Sequence, residues 1–210
     1  GGWGAGAGAG IAVRPAPNWT FSISPEIEWS HTVAQYRGQR PDSTAAHTFD
    51  SRYIFAALDQ TQLSMETRLD VTFTPDLSLQ VYAQPYIAGA DFGAPAELRA
   101  PGVYDFQVYG RDIGEAEPVD GGTRVYPQGR EGAAAPFTVP NADFTLRSLR
   151  GNAVLRWEYR PGSTIFVAWQ QTRSGTGASG QFDFSRDRAA LFEAPPDDVL
   201  VIKLSYWINP

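Results

Sequence analysis

The chain has 210 residues, a formal net charge of −6 and no cysteine. The acidic balance argues against binding to nucleic acid, which requires clustered Lys and Arg. The lack of cysteine excludes disulfides, thiol-ligated metals and a cysteine nucleophile. Aromatic residues are abundant, with 6 Trp, 9 Tyr and 12 Phe, and the chain is punctuated by 21 Gly and 16 Pro. This composition is typical of an all-β protein with many turns.

The first two predicted strands occupy residues 3–14 and 19–33, joined by a short proline-containing turn. From Trp19 to Ser30 every odd-numbered residue is apolar or proline and every even-numbered residue is polar. A period of two indicates a β-strand, because successive side chains point to opposite faces. The alternating segment runs for about twelve residues, whereas strands of soluble proteins average about five or six. It is long enough for a transmembrane strand, which needs roughly nine to eleven residues.

The same alternation returns at residues 63–74 and 77–88, which a Pro-Asp turn joins into a second hairpin. The apolar segment 53–58 either extends the third strand or forms an extra arm. Residues 103–110 form another strand or a structured piece of a loop. Pro25 and Pro85 lie inside strand patterns and remove ladder hydrogen bonds, so we expect a local bulge at each.

Three further strands are predicted, at residues 144–160, 163–173 and 198–209, and a Pro-Gly turn joins the first two. Long polar stretches, near 32–51, 89–142 and 174–197, alternate with the short turns. Outer-membrane barrels show this asymmetry, with short periplasmic turns and long external loops. Seven strands is an odd number, whereas bacterial single-chain barrels have even numbers. We therefore expect either an undetected strand or strands upstream of Gly1.

No run of 18 apolar residues is present, so no transmembrane helix is predicted. A closed barrel also satisfies its backbone within a bilayer, and half of each strand is polar, which fits a mean hydropathy of −0.29. We predict an all-β fold: an antiparallel up-and-down transmembrane β-barrel in the bacterial outer membrane. Its expected partners are the lipid bilayer and the barrel-insertion machinery, because the ending at Tyr206 and Trp207 resembles the aromatic last strand that this machinery recognises.

Side-chain parity divides the strands into two faces. Lipid-facing positions are predicted at Phe21, Ile23, Leu69, Val71, Leu79, Val81, Leu155, Leu200, Ile202 and Leu204. Lumen-lining positions are predicted at Glu26, Glu28, Glu66, Arg68, Asp70, Gln80, Gln84, Arg156 and Glu158. Aromatic girdles are predicted from Trp19, Trp29, Phe73, Trp157, Tyr159 and Tyr206. Trp19 and Trp29 differ in height by about 25 Å, which matches the apolar band of such barrels.

Residue 1 is Gly, and the single methionine, Met65, lies inside a strand pattern. We therefore expect residues 1–210 to be the C-terminal part of a single barrel domain, with upstream strands and an N-terminal domain missing.

No catalytic constellation emerges, and no enzyme activity, cofactor or metal is predicted. The charges at Glu66, Arg68 and Asp70, with Glu26 and Glu28, could include a carboxylate pair for hydrolysis. Pairing across strands in a polar lumen is the preferred interpretation. Metal binding by His31 and His47 has no supporting ligand spacing. Calcium binding is considered, but solvated loop charges are preferred, at Asp183, Asp187, Asp197 and Asp198.

Two other functions stay open. One is a soluble periplasmic or secreted all-β sandwich that binds or acts on glycans, which would bury one face of shorter strands. The other is a passive structural barrel without transport. Detergent dependence would separate the soluble sandwich from a barrel, and conductance would separate a pore from a structural barrel.

Four segments carry a resemblance to a known family: residues 58–61, 72–80, 148–163 and 203–209, the third containing the string Arg156-Trp157-Glu158-Tyr159-Arg160-Pro161-Gly162-Ser163. Together they resemble the C-terminal region of the domain of unknown function 5916 family. This family occurs in envelope proteins of Gram-negative bacteria, usually after an N-terminal carbohydrate-binding domain of the family 9 type. The resemblance implies a β-barrel-like membrane region and does not imply a catalytic activity. A link to glycan binding or uptake is implied only through the missing N-terminal domain.

Overall fold

The structure of the chain, a computed structural model, describes residues 1–208. The strands and the single α-helix of this part are β1 (Gly2–Gly8), β2 (Ile11–Ala16), β3 (Trp19–Pro41), β4 (Ser51–Thr74), β5 (Leu77–Leu98), β6 (Phe106–Val108), β7 (Glu115–Val119), β8 (Gly122–Tyr126), β9 (Phe137–Pro140), β10 (Phe144–Arg160), β11 (Ser163–Gly177), α1 (Phe184–Glu193) and β12 (Asp197–Ser205). A short 3-10 helix, Ala46–Thr48, lies between β3 and β4.

One large antiparallel sheet dominates the fold, in the order β1-β3-β4-β5-β10-β11-β12. Strand β2 continues β1 along the same edge of β3, and β6 pairs with the end of β5. The predicted all-β fold and its antiparallel meander are therefore confirmed. Strands are joined by two-residue turns at one end of the sheet, the hairpin end, and by longer connections at the other, the loop end.

The long strands exceed the predicted bounds. β3, β4 and β5 have 23, 24 and 22 residues, so the segment 53–58 extends the third strand. The expected loop 32–51 is reduced to residues 42–50. Of the segment 103–110, only β6 is a strand. The last strand ends at Ser205, four residues before its predicted end, and Asn209 lies outside the described residues.

The bulges expected at Pro25 and Pro85 are absent from the described sheet. The pairing of β3 with β4 continues in register through Pro25 and Met65, and β10 pairs with β5 in register through Pro85. Because an isolated ladder bond can be lost without inserting a residue, both prolines are accommodated in regular strands. The pairs Ser64–Tyr86 and Thr67–Ala83 place Pro85 beside Met65, on the side opposite Pro25.

The sheet is open, so the expected closed barrel is not what residues 1–208 form. Its edges are β1 with β2 on one side and β12 on the other, and no pairing joins them in the described part. The sheet stays open because of the direction in which its two edge strands run. In an antiparallel meander the first and seventh strands run parallel to one another, so these two edges cannot complete an up-and-down antiparallel barrel.

Residues 99–143 form an insertion between β5 and β10 that contains the small sheet β7-β8-β9. Its core residues Tyr109, Val125 and Val139 cluster with Ile54 of β4. Ile54 shares its face of β4 with the polar residues nearer the hairpin end, since β4 has no bulge between them. The insertion therefore packs on the polar face of the sheet, at the loop end.

Helix α1 lies on the opposite face, where its buried residues are Asp187 and Leu191. Two glycines permit this arrangement: a Cβ at Gly89 would lie 2.5 Å from the carbonyl oxygen of Gly180, so the segment entering the helix rests directly on β5. Across residues 1–208, no helix has the length and apolar character needed to cross a membrane.

Candidate functional site

An apolar face runs without interruption across the sheet. One row of register partners consists of Trp19, Val71, Leu79, Leu155, Val167 and Ile202. The next row toward the loop end consists of Val13, Phe21, Leu69, Val81, Ala153, Trp169 and Leu200. At the hairpin half, no element of the described chain covers this face. Leu200, Ile202 and Leu204 are between 63% and 66% exposed, which is unusual for a contiguous apolar patch in contact with water.

Of the six predicted girdle residues, Trp19, Trp29 and Trp157 lie on this apolar face, as their register partners show. Five of the six are near the hairpin end: Trp19, Phe73, Trp157, Tyr159 and Tyr206. Trp157 and Tyr159 pack edge to face with ring centroids 6.1 Å apart. Trp29 lies toward the loop end, beside Ala5.

Charged residues on the same face mark where the apolar character ends. The row next to Trp29, toward the loop end, contains His31, Asp59 and Asp91. His31 Nδ1 lies 2.7 Å from Asp59 Oδ1. Burial raises the pKa of Asp91, and the nearby carboxylates of Asp143 and Asp59 raise it further. The apolar face is therefore bounded by aromatic residues at one end and by Trp29 and a charged row at the other.

The nine predicted lumen residues share the opposite, polar face, as their register partners show: Glu26, Glu28, Glu66, Arg68, Asp70, Gln80, Gln84, Arg156 and Glu158. Several of them pair with one another. Arg68 Nε lies 2.8 Å from Glu66 Oε1, and Arg156 Nη2 lies 3.0 Å from Glu158 Oε2. Gln62 donates to Glu28 and accepts from the Tyr86 hydroxyl.

The polar face becomes apolar toward the last strand. Val154 pairs with Ala168, and Ala168 pairs with Val201. Strand β12 is therefore apolar on both faces between Val199 and Ile202, although it lies at an edge. A strand of this kind is typical of a sheet that is covered on both faces.

The insertion is attached through a buried ion cluster that the sequence analysis did not identify. Arg52 is 5% exposed; its Nη1 donates to both carboxylate oxygens of Glu97 at 2.8 Å, and its Nε donates to Asp42 Oδ2 at 2.6 Å. The Tyr109 hydroxyl donates to Glu97 at 2.6 Å. Thr44 donates to Asp42 through its amide and its hydroxyl.

The pKa values follow from these contacts. Burial alone would raise the pKa of Asp42, but hydrogen bonds from Arg52 and Thr44 outweigh it and hold this pKa below its ordinary value. Burial opposes the charge of Arg52, yet its bonds to Asp42 and Glu97 raise its pKa. Burial, with the hydrogen bond to Glu97, raises the pKa of Tyr109. Asp42 and Arg52 therefore stay charged at neutral pH, and Tyr109 stays protonated as a hydrogen-bond donor.

Two arginines break the alternation on the apolar face, and α1 covers both. Arg147 Nη1 lies 3.6 Å from Asp187 Oδ1. Arg173 Nη1 donates to the carbonyl oxygens of Phe192 and Ala194, where a helix C-terminus favours positive charge. Sequence analysis predicted a polar loop over residues 174–197 and missed this helix. The sequence did contain a signal for it, because Arg147 and Arg173 occupy odd-numbered positions of β10 and β11, where apolar residues are expected.

Three of the four aspartates considered as calcium ligands have other partners, and the fourth, Asp197, is not grouped with them at a ligand site. Asp183 caps α1 by accepting from the Arg186 amide at 2.9 Å. The expectation that Asp187 is a solvated loop charge is wrong, because it has no exposed surface and pairs with Arg147 and Arg186. Asp198 accepts from Trp169 and Gln171. Within residues 1–208 no group of three potential metal ligands occurs.

A polar cavity of about 340 Å³ lies between the insertion and the polar face. Arg37 stacks on Phe92 at 4.3 Å from its ring centroid and donates to the Pro140 carbonyl. Asp143 accepts from the Phe92 amide. These polar groups already bond to one another, so the cavity wall is held in place by the chain itself.

Comparison with known proteins supports a family assignment alone. Neither the curated proteins nor the solved structures contain a match to this chain. A family model described as domain of unknown function (DUF5916) matches residues 15–209, which is nearly the whole sequence. The resemblance noted in the sequence is thereby confirmed, and the chain belongs to the domain of unknown function 5916 family.

Proposed function

We propose that this chain is part of a bacterial outer-membrane β-barrel whose apolar face contacts lipid. The observation that carries the proposal is the continuous apolar face, which spans seven strands and lacks a covering layer among the described residues at the hairpin half. In a soluble sandwich this face would pack against a second sheet. In a bilayer the same face contacts acyl chains, while the polar face lines a lumen.

The dimensions of the face support the proposal. Phe73 and Leu63 bound the alternating apolar positions of β4, ten residues apart. At about 3.3 Å per residue and about 40° of tilt, this is a band of about 25 Å, which is the height of the apolar band in such barrels. Aromatic residues lie at the hairpin end, and a charged row begins beyond Trp29 at the other.

Further strands would have to lie between β12 and β1 in such a barrel. The sheet has seven strand positions, with β2 continuing β1. Bacterial single-chain barrels have an even total, so the number of additional strands would be odd. The side chains of β12 that lie on the polar face of the sheet are themselves apolar. In a closed barrel, the additional strands and whatever fills the interior would cover these side chains, which favours closure. In the intact protein, we expect β12 amides that do not bond β11 to exchange with solvent as slowly as those of β11.

A matched pair of substitutions on one strand tests the lipid contact. Val81 is on the apolar face, where its partner Leu69 lies within one residue of the middle of the band, and Gln80, its neighbour, is on the polar face beside Asp70. In the full-length protein in phosphatidylcholine vesicles, Val81→Arg should lower the unfolding free energy by about 2–4 kcal/mol. Gln80→Arg should change it by about 0.5 kcal/mol or less. Monodisperse protein without detergent, together with equal effects of the two substitutions, would overturn the proposal.

A second candidate, a passive or plugged barrel, is favoured by the insertion. Its core residues Tyr109, Val125 and Val139 pack on the face that the proposal assigns to the lumen. Low conductance in planar bilayers is the expected result for such a barrel, and a large open-channel conductance would exclude it. The link to glycans stays a prediction that rests on the resemblance, through a domain outside this sequence.

A further inference from the structure

An apolar pocket, open on one side, lies between α1 and the sheet. It has a volume of about 280 Å³ and its floor includes Pro25, Met65 and Pro85, while the helix contributes Phe184, Leu191 and Phe192. Both prolines flank Met65 in regular register, so the floor consists of rigid rings around one flexible thioether. A cavity of this size is at the lower limit for small-molecule sites. It suits a single hydrocarbon chain better than a bulky ring system.

We propose that the acyl chain of an anionic phospholipid occupies this cavity, with Arg188 binding the phosphate at its rim. The proposal rests on the membrane location proposed above. The cavity floor is a continuation of the apolar face, so a chain that enters it comes directly from the surrounding hydrocarbon. The groups lining it are carbon and the sulfur of Met65, apart from Arg188. Such a lining can hold an acyl chain but offers few partners to a polar ligand.

Charge at the rim selects the headgroup. The ion pairs next to the cavity engage Arg147 and Arg186, both through Asp187. Arg188 forms no ion pair within residues 1–208, and its guanidinium lies 5.8 Å from the ring centroid of Phe184. It therefore presents a positive charge next to an apolar opening. Arginine is well suited to a phosphate, which its planar group can bind through two donors.

The helix makes this site possible by neutralising the sheet beneath it. Arg147 and Arg173 would otherwise place two charges on the apolar face, and α1 satisfies them with Asp187 and with its C-terminal carbonyls. The helix then presents Phe184 and Phe192, each more than half exposed. A lipid chain between helix and sheet would thus contact apolar groups on both sides.

Lipid retention by the full-length protein tests the proposal. Protein purified from nanodiscs containing equal phosphatidylglycerol and phosphatidylcholine is analysed by native mass spectrometry after detergent washing. Wild type should retain phosphatidylglycerol about fivefold over phosphatidylcholine, as expected for one interfacial cationic side chain. Arg188→Gln should abolish this preference, and Arg188→Lys should restore most of it.

Filling the cavity gives an independent test. Met65→Trp should remove retention of both lipids, whereas Val71→Trp adds the same bulk on the same face outside the cavity and should behave as wild type. Arg188 is exposed, so its variants report even where Met65→Trp fails to fold. Equal retention of the two lipids by wild type, or full retention by folded Met65→Trp, would overturn the site. A protein that passes the Val81 test and retains no lipid would refute the site and leave the membrane proposal intact.

Discussion

Arg147 and Asp187 form an ion pair that joins the apolar face of the sheet to the helix lying on it. Arg147 Nη1 is 3.6 Å from Asp187 Oδ1, and the aspartate has no exposed surface. The same carboxylate accepts hydrogen bonds from the Arg186 side chain and from the Asp183 amide at the start of the helix. One buried side chain therefore fixes both the beginning of α1 and its position on the strands.

Loss of Asp187 should detach the helix. Asp187→Ala leaves the buried guanidinium of Arg147 without its partner, a change that typically costs about 3–5 kcal/mol. We expect faster proteolytic cleavage between residues 178 and 196 and a lower unfolding free energy. The control Asp183→Ala removes only an exposed helix cap and should cost about 1 kcal/mol. If the two variants are cleaved at the same rate, Asp187 does not anchor the helix.

Removing Glu97 should release the insertion. Its carboxylate accepts two hydrogen bonds from Arg52 and one from Tyr109. Glu97→Ala leaves the Tyr109 hydroxyl buried without its acceptor and leaves Arg52 with Asp42 as its carboxylate partner, so we expect local destabilisation of about 1–3 kcal/mol. The measurement is amide exchange within residues 106–126, compared with the exchange of β10. Unchanged protection in the insertion would show that its apolar core alone holds it to the sheet.

Acid should weaken the same cluster in a defined pH range. The folded-state pKa of Asp42 is lowered, so its contribution is present above the unfolded pKa of about 4 and is lost as pH falls through the folded value. The stability difference between wild type and Asp42→Asn should be constant from pH 7 to about pH 5 and shrink below about pH 4. Asp50→Asn, on the same loop, is the control. A difference that grows on acidification would contradict this sign.

Alternation predicted the large sheet well, because it is a local property of each strand. The faces of Phe21, Leu79 and Leu155 follow from their parity alone, and register then aligns them. The ends of the strands could not be predicted in this way. In β4, alternate side chains from Arg52 to Leu58 face the insertion, and the others point to the opposite face. The insertion is distant in sequence, so the local pattern did not reveal that the strand extends to it.

The helix and the ion clusters were missed for a related physical reason. Arg147 and Arg173 are unfavourable on an apolar face unless something covers them, and the covering element, α1, is a ten-residue helix with a weak sequence signal. Arg52 and Glu97 are 45 residues apart, so their pairing depends on the register of β4 with β5. The prediction of bulges at Pro25 and Pro85 was wrong because a regular ladder tolerates the loss of one backbone N–H donor.

The last hairpin offers a test of backbone conformation and packing together. Gly162 has a φ of 77°, and a Cβ there would lie 3.0 Å from the Cβ of Trp207. Gly121 has a φ of 76° with open space around it. Gly121→Ala should therefore cost about 1 kcal/mol, from the left-handed backbone alone. Gly162→Ala should cost about 1 kcal/mol more, because Trp207 must move.

A double-mutant cycle separates these two causes. Trp207→Ala removes the side-chain ring that a Cβ at position 162 approaches, so the double variant Gly162→Ala/Trp207→Ala should lose part of the extra cost. The coupling is measured as unfolding free energy in urea, in the same vesicles for all four proteins. Additive effects would mean that Trp207 does not pack on this turn, and that the aromatic ending of the chain is held by the bond from its amide to Ser163 Oγ instead.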